Sequence, residues 1–113
     1  MKKRQMRLAD EIRDIIATCI MQELSDPRIH EAVITHVRLS PDLQVATVYF
    51  RFYGEKHTKD EILRGLESCR GFLRGTMSKS LALRRVPELR FFYDESVEEG
   101  ARIEGLLAKI HKG

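Results

Sequence analysis

Residues 58–87 read TKDEILRGLESCRGFLRGTMSKSLALRRVP, and the way this run divides decides the fold. Thr58 with Glu61 has the form of a capping box, in which the two side chains satisfy free backbone N–H groups of the first helical turn. Ile62, Leu66, Cys69, Leu73 and Met77 then recur at helical spacing. Gly71 and Gly75 lie inside the pattern, where each glycine costs about 1 kcal/mol relative to alanine. The spacing predicts a break near Gly71 and two shorter helices at an angle. A single curved helix that tolerates both glycines is the alternative. Val86-Pro87 ends the helical region, because the residue before a proline is pushed out of helical geometry.

On the N-terminal side, Leu8, Ile12, Ile15, Ile16, Cys19, Ile20 and Leu24 form the stripe of an amphipathic helix over 8–24, stopped by Ser25-Asp26-Pro27. Two alternating segments follow, at 32–39 and 45–53, with turn residues Ser40-Pro41-Asp42 between them. They predict an antiparallel hairpin. Strict alternation would put Val33, Thr35, Val37 and Leu39 on one face of the first strand, with Ile34, His36 and Arg38 on the other. On the C-terminal side, 89–93 reads as a third strand. Asp94-Glu95-Ser96 then leads into a capping box of Ser96 with Glu99 and a short helix carrying Val97, Ile103, Leu107 and Ile110. The expected fold is α+β, with helices on one face of a three-stranded sheet.

The 113 residues suit one domain spanning 1–113, with no linker, repeat or low-complexity segment. Lys and Arg number 20 against 17 Asp and Glu, and the pI is near 9.0, a mild pointer to a polyanionic partner. No apolar run is long enough to span a bilayer. Acidic residues from Asp10 onward break any signal-peptide reading of the basic N-terminus, so a cytoplasmic protein is expected. Cys19 and Cys69 both fall in helical apolar patterns and read as small buried hydrophobes.

Catalytic chemistry is hard to find. His30, His36, His57 and His111 are scattered without ligand spacing, so no metal or cofactor is expected. Ser78 and Ser80 have no histidine nearby, and Asp94-Glu95-Ser96 is better explained as a turn than as an acid/base pair. An enzyme is not expected. The cations are more informative. Lys2, Lys3, Arg4 and Arg7 crowd the N-terminus; Arg64, Arg70, Arg74 and Lys79 recur through the broken helix; Arg84 and Arg85 follow it. A turn at Gly71 would leave Arg70 and Arg74 beside exposed backbone, where a phosphate chain can approach. Phe50, Phe52, Phe91 and Phe92 lie in strands and read as packing residues, which favours recognition of backbone and shape over bases.

Four stretches carry a resemblance to a known family. They are Ser25-Asp26-Pro27-Arg28; Val37-Arg38-Leu39-Ser40-Pro41-Asp42-Leu43 with Ala46-Thr47-Val48-Tyr49; Gly71-Phe72-Leu73-Arg74; and the long run LRRVPELRFFYDES at 83–96. Together they make the chain resemble the bacterial ribosome-binding factor A family over nearly its whole length. The resemblance implies a type II KH-like domain, ordered helix-strand-strand-helix-kink-helix-strand, with a three-stranded mixed sheet and a short C-terminal helix. It implies that the GxxG loop of KH domains is replaced by an Ala-x-Gly kink, here Cys69-Arg70-Gly71, with cysteine in place of alanine. It further implies binding to the free 30S small subunit and its 16S ribosomal RNA, help in late maturation and 5′-end processing, and a part in growth in the cold. A ribosome-associated GTPase is a candidate partner, and a monomer is expected off the ribosome. Many members carry a longer charged tail; this chain stops at Gly113, so tail-dependent activity is not expected. An RNA-binding module for other RNAs and a protein-interaction adaptor using the sheet or the Val33/Val37 side are the competing readings.

Overall fold

The computed structural model describes residues 2–96. Its elements are α1 (Lys3–Gln22), β1 (Ala32–Leu39), β2 (Val45–Phe52), α2 (Lys59–Ser68), α3 (Arg70–Ser80) and β3 (Glu88–Tyr93), the expected order. The expected final helix, with the Glu99 half of its capping box, lies outside the described residues. The sheet order is β1-β2-β3, with β1 antiparallel and β3 parallel to the central β2, so the sheet is mixed. Ala46, Val48 and Phe50 of β2 are fully buried in one cluster with Ile12 and Ile16 of α1, Ile62 and Leu66 of α2, and Leu73 and Met77 of α3. Burial of this apolar set is what holds the helices to one face of the sheet. The Thr58–Glu61 capping box forms as read, with Thr58 N donating to Glu61 Oε1 at 3.0 Å and Glu61 N to Thr58 Oγ1 at 3.2 Å.

Strict alternation fails in β1. Ala32, Ile34, Val37 and Leu39 are buried, whereas Val33, His36 and Arg38 are exposed. The register runs from Ile34 opposite Phe50 directly to His36 opposite Tyr49, so Thr35 is the extra residue of a β-bulge and the strand changes phase there. A buried carboxylate fixes the bulge. Thr35 Oγ1 donates to Asp94 Oδ2 at 2.8 Å, while Asp94 Oδ1 accepts from Ser96 Oγ at 2.6 Å and Ser96 N at 3.0 Å. Asp94 N in turn donates to the Phe50 carbonyl at 2.7 Å, locking the end of β3 to β2. The Ser96 hydroxyl foremost, then Thr35, hold the Asp94 carboxyl below the ordinary carboxylate range against the opposing effect of burial.

The helical run divides at Cys69, the first residue of the expected Cys69-Arg70-Gly71 kink. The cause is local. Ser68 Oγ donates to the Gly65 carbonyl at 2.7 Å, and the Cys69 N–H turns to the nearer Leu66 carbonyl at 3.1 Å, tightening the turn. Gly65 has a second role, absent from the sequence reading: a Cβ there would lie 2.8 Å from Cγ2 of the fully buried Ile29. Gly71 and Gly75 differ, since a Cβ at either would meet nothing.

Two outcomes are expected in denaturant titrations. Gly65→Ala should destabilise by about 1–3 kcal/mol through overpacking, while Gly71→Ala should stabilise by up to about 1 kcal/mol. Asp94→Asn should cost about 2 kcal/mol at neutral pH, the range for a hydrogen-bonded charge. The folded-state pKa of Asp94 is lowered, so its contribution is present above the unfolded value of about 3.9 and is lost as pH falls through the folded value. The gap between wild type and Asp94→Asn should therefore narrow in acid.

Candidate nucleic-acid interface

α1 begins earlier than its apolar stripe suggested, at Lys3, so the basic N-terminal residues ride on its first two turns. The start of α1, the β1–β2 turn and the 81–87 loop meet at one end of the molecule. Between them lies a cleft of about 610 Å³, whose lining includes Lys2, Arg4, Arg7, Leu8, Leu43 and Leu81. An adjoining hollow shares Leu43 and Leu83 with it and adds Arg84 and Arg85. Two of the three basic groups read from the sequence are thus brought onto one surface, with an apolar floor and a cationic rim.

Each side of the cleft is held in place. Gln5 Oε1 accepts from Lys2 N at 3.1 Å, and Gln5 Nε2 donates to the Ser40 carbonyl at 3.3 Å, joining the start of α1 to the turn. In the turn, Ser40 Oγ donates to Asp42 Oδ1 at 2.7 Å and Gln44 N to the same oxygen at 3.1 Å. These bonds hold Leu43 at φ 61, a left-handed conformation uncommon for leucine. On the third side, Arg74 Nε donates to the Pro87 carbonyl at 3.1 Å and a terminal nitrogen to the Val86 carbonyl at 3.0 Å. The guanidinium of Arg74, which the sequence reading set beside an RNA backbone, clamps the loop that carries Arg84 and Arg85. The sequence reading missed Gln5, Leu43 and this use of Arg74, although Leu43 closes the Val37–Leu43 stretch.

The electrostatics of α1 favour an anion. Its first turn holds no acidic residue, and Lys2, Lys3, Arg4 and Arg7 crowd the helix end where free N–H groups already give positive potential. Cations so placed are each unfavourable by about 0.3–1 kcal/mol at an exposed helix end, and a phosphate chain reverses that sign.

The kink forms a separate place. Arg70 and the 81–87 loop lie at opposite ends of α3, about 15 Å apart by helical rise. The Arg70 guanidinium lies 5.9 Å over the Phe91 ring, and its Nε is buried without a hydrogen-bond partner among the described residues. Cys69 is buried, Gly71 is exposed, and Lys79 is exposed in the last turn of α3, where a cation suits the helix dipole. Among the described residues no group of His, Cys, Asp or Glu gathers to hold a metal ion, and no helix is long and apolar enough to cross a membrane.

Fold and site are those of a small KH-like α+β protein with a cationic cleft at one end. The family model for ribosome-binding factor A matches residues 4–107. A ribosome-binding factor A from Geobacter metallireducens is 43% identical over 110 residues, covering 97% of this chain and 93% of that protein. The chain belongs to the ribosome-binding factor A family. The crystal structure of the Thermus thermophilus factor superposes with a TM-score of 0.73 at 28% identity, over 81% of this chain and 97% of that one. A homology model of the Thermus thermophilus factor, fitted into the cryo-EM map of a 30S complex, has a TM-score of 0.66 at 28% identity, covering 80% and 96%.

Removing the Arg74 clamp should free the loop without loosening the core. In Arg74→Ala, amide hydrogen exchange at 81–87 is expected to accelerate while exchange in β2 stays unchanged.

Proposed function

We propose that this protein binds the small (30S) ribosomal subunit through its ribosomal RNA, as a non-catalytic assembly factor. The observation that carries this reading is the convergence of Lys2, Arg4, Arg7, Arg84 and Arg85 around one cleft. Membership of the ribosome-binding factor A family, and the 30S complex of a structural neighbour, support the choice of partner. The cleft neutralises phosphates, and the kink offers open backbone at Gly71 as a second contact with the sugar-phosphate chain. Holding the unfinished subunit in this way assists late maturation and the 5′-end processing of 16S ribosomal RNA, with nucleases doing the trimming. The protein works in the cytoplasm as a single-domain monomer when off the ribosome, and a ribosome-associated GTPase is the proposed agent of release.

Sedimentation with purified small subunits over a salt series tests this. Wild type should co-sediment at low salt, and log K should fall linearly with log salt, by roughly 0.7–0.9 per phosphate contact. Arg4→Glu with Arg85→Glu should weaken binding and flatten that slope without lowering the thermal melt, since an acid in the first turn of α1 suits the helix dipole. Gly71→Ala should weaken binding while raising stability. Salt-independent association, or none at all, would sink the reading.

A further inference from the structure

The bulge at Thr35 has placed something on the sheet face that α1, α2 and α3 leave uncovered. Because β1 changes phase there, His36 faces outward directly opposite Tyr49, and Tyr49 is in register with Phe92 on β3. The three rings form a row across the whole sheet. His36 stacks on Tyr49 with centroids 4.3 Å apart and 13° between planes, and Tyr49 lies 6.4 Å from Phe92. β1 and β3 are the edge strands, so the outer rings sit at the margins: Phe92 is 52% exposed, and the His36 side chain likewise 52%. The next row along the strands is Arg38, Thr47 and Arg90. Arg38 and Arg90 are both exposed; among the described residues Arg90 has a surface ion pair with Glu88 at 3.6 Å and no ion pair holds Arg38.

Among the described residues, neither helix packing nor the cationic cleft uses this row. Phe92 keeps half its surface exposed beyond its contact with Tyr49, and the outward face offers rings and guanidinium groups with few aliphatic side chains, Val33 being the main one. Such a mixture suits a partner that has both flat π-faces and negative charge. The bulge is actively held: the buried Asp94 carboxylate secures Thr35 and lies 3.7 Å from His36 Nδ1. Without the change of phase, Val37 and not His36 would face outward.

We propose that the outer face of the sheet is a second RNA site, taking an unpaired strand whose bases stack on His36 and Phe92. Tyr49 supports the two rings from the centre, and Arg38 and Arg90 meet the phosphates. The proposal rests on the reading of the protein as an RNA-binding factor and adds to it the class of RNA: single-stranded, with its bases turned out. Of the strand aromatics considered from sequence as packing residues, Phe50 and Phe91 are buried. Phe92 belongs to this platform, with His36 and Tyr49.

The test uses the full chain, with oligo-uridylate and oligo-adenylate as single strands and an RNA hairpin as duplex, followed by fluorescence anisotropy. Replacing Phe92 with alanine should weaken single-strand binding about tenfold, within the range for loss of one stacked base, and leave hairpin binding unchanged. His36→Ala should act in the same direction. Phe92→Tyr should retain binding, whereas Phe92→Leu, apolar but without a π-face, should lose it. Thermal melts check that each variant is folded. Equal single-strand binding by wild type and Phe92→Ala would overturn the proposal, as would wild-type chain that binds neither oligonucleotide. A wild-type dimer that light scattering shows falling to monomer in Phe92→Ala, with RNA binding unaltered, would make the face a self-association surface and also overturn it. Co-sedimentation with small subunits separates this from the broader reading. If wild type pelleted with subunits but ignored the oligonucleotides, the sheet site alone would fall. If it bound the oligonucleotides and not the subunits, the sheet site would stand and the ribosomal reading would fall.

Discussion

A single carboxylate under the edge of the sheet sets the shape of most of what lies around it. Asp94 follows β3, yet its oxygens reach Thr35 on β1, across the central strand. A buried charge is expensive to desolvate, and this one is sustained by the Ser96 and Thr35 donors gathered on it. In return it joins all three strands at one point and stabilises a bulge that backbone pairing alone would not favour. The inward set of Ile34, Val37 and Leu39, and the outward set of Val33, His36 and Arg38, both follow from that bulge.

At the other end of the molecule the governing constraint is electrostatic. Four cations stand on the positive end of α1 with no acid in its first turn. A helix selected for stability alone would carry acids there. The apolar floor of the cleft, which includes Leu8, Leu43 and Leu81, lowers the local dielectric and strengthens whatever the cations attract. The break at Cys69 serves a different end. It lets α2 and α3 follow separate paths over the sheet, and it arises from competition for one carbonyl between a serine hydroxyl and a backbone N–H.

The residues that announced themselves in the sequence did so through periodicity, capping and turn chemistry. The stripe from Ile12 to Ile20, the Thr58–Glu61 box and the strand order follow directly from such local rules. The break was legible within Cys69-Arg70-Gly71 as a glycine problem, but its local cause was not, since the Ser68 bond to the Gly65 carbonyl sets it at Cys69. The face assignment of β1 was wrong beyond Ile34, although the out-of-step apolar pairs Ala32/Ile34 and Val37/Leu39 were a visible warning of a bulge. The meeting of the N-terminal cations with Arg84 and Arg85 was not legible, since 76 residues of chain lie between Arg7 and Arg84. Only tertiary packing decides which loops share an end. Gly65 stood on the inner stripe between Ile62 and Cys69, and its need to be small depends on Ile29, a residue from another segment.

The grip of Arg74 on the Val86 and Pro87 carbonyls bears on how any ligand is met. A loop carrying two arginines would ordinarily lose a good deal of conformational freedom on docking, and that loss subtracts from affinity. Here much of the ordering has already happened in the unbound chain, within the fold itself. The backbone beside Arg84 and Arg85 is therefore preorganised, so that docking has mainly their two side chains and the partner's own flexibility left to order.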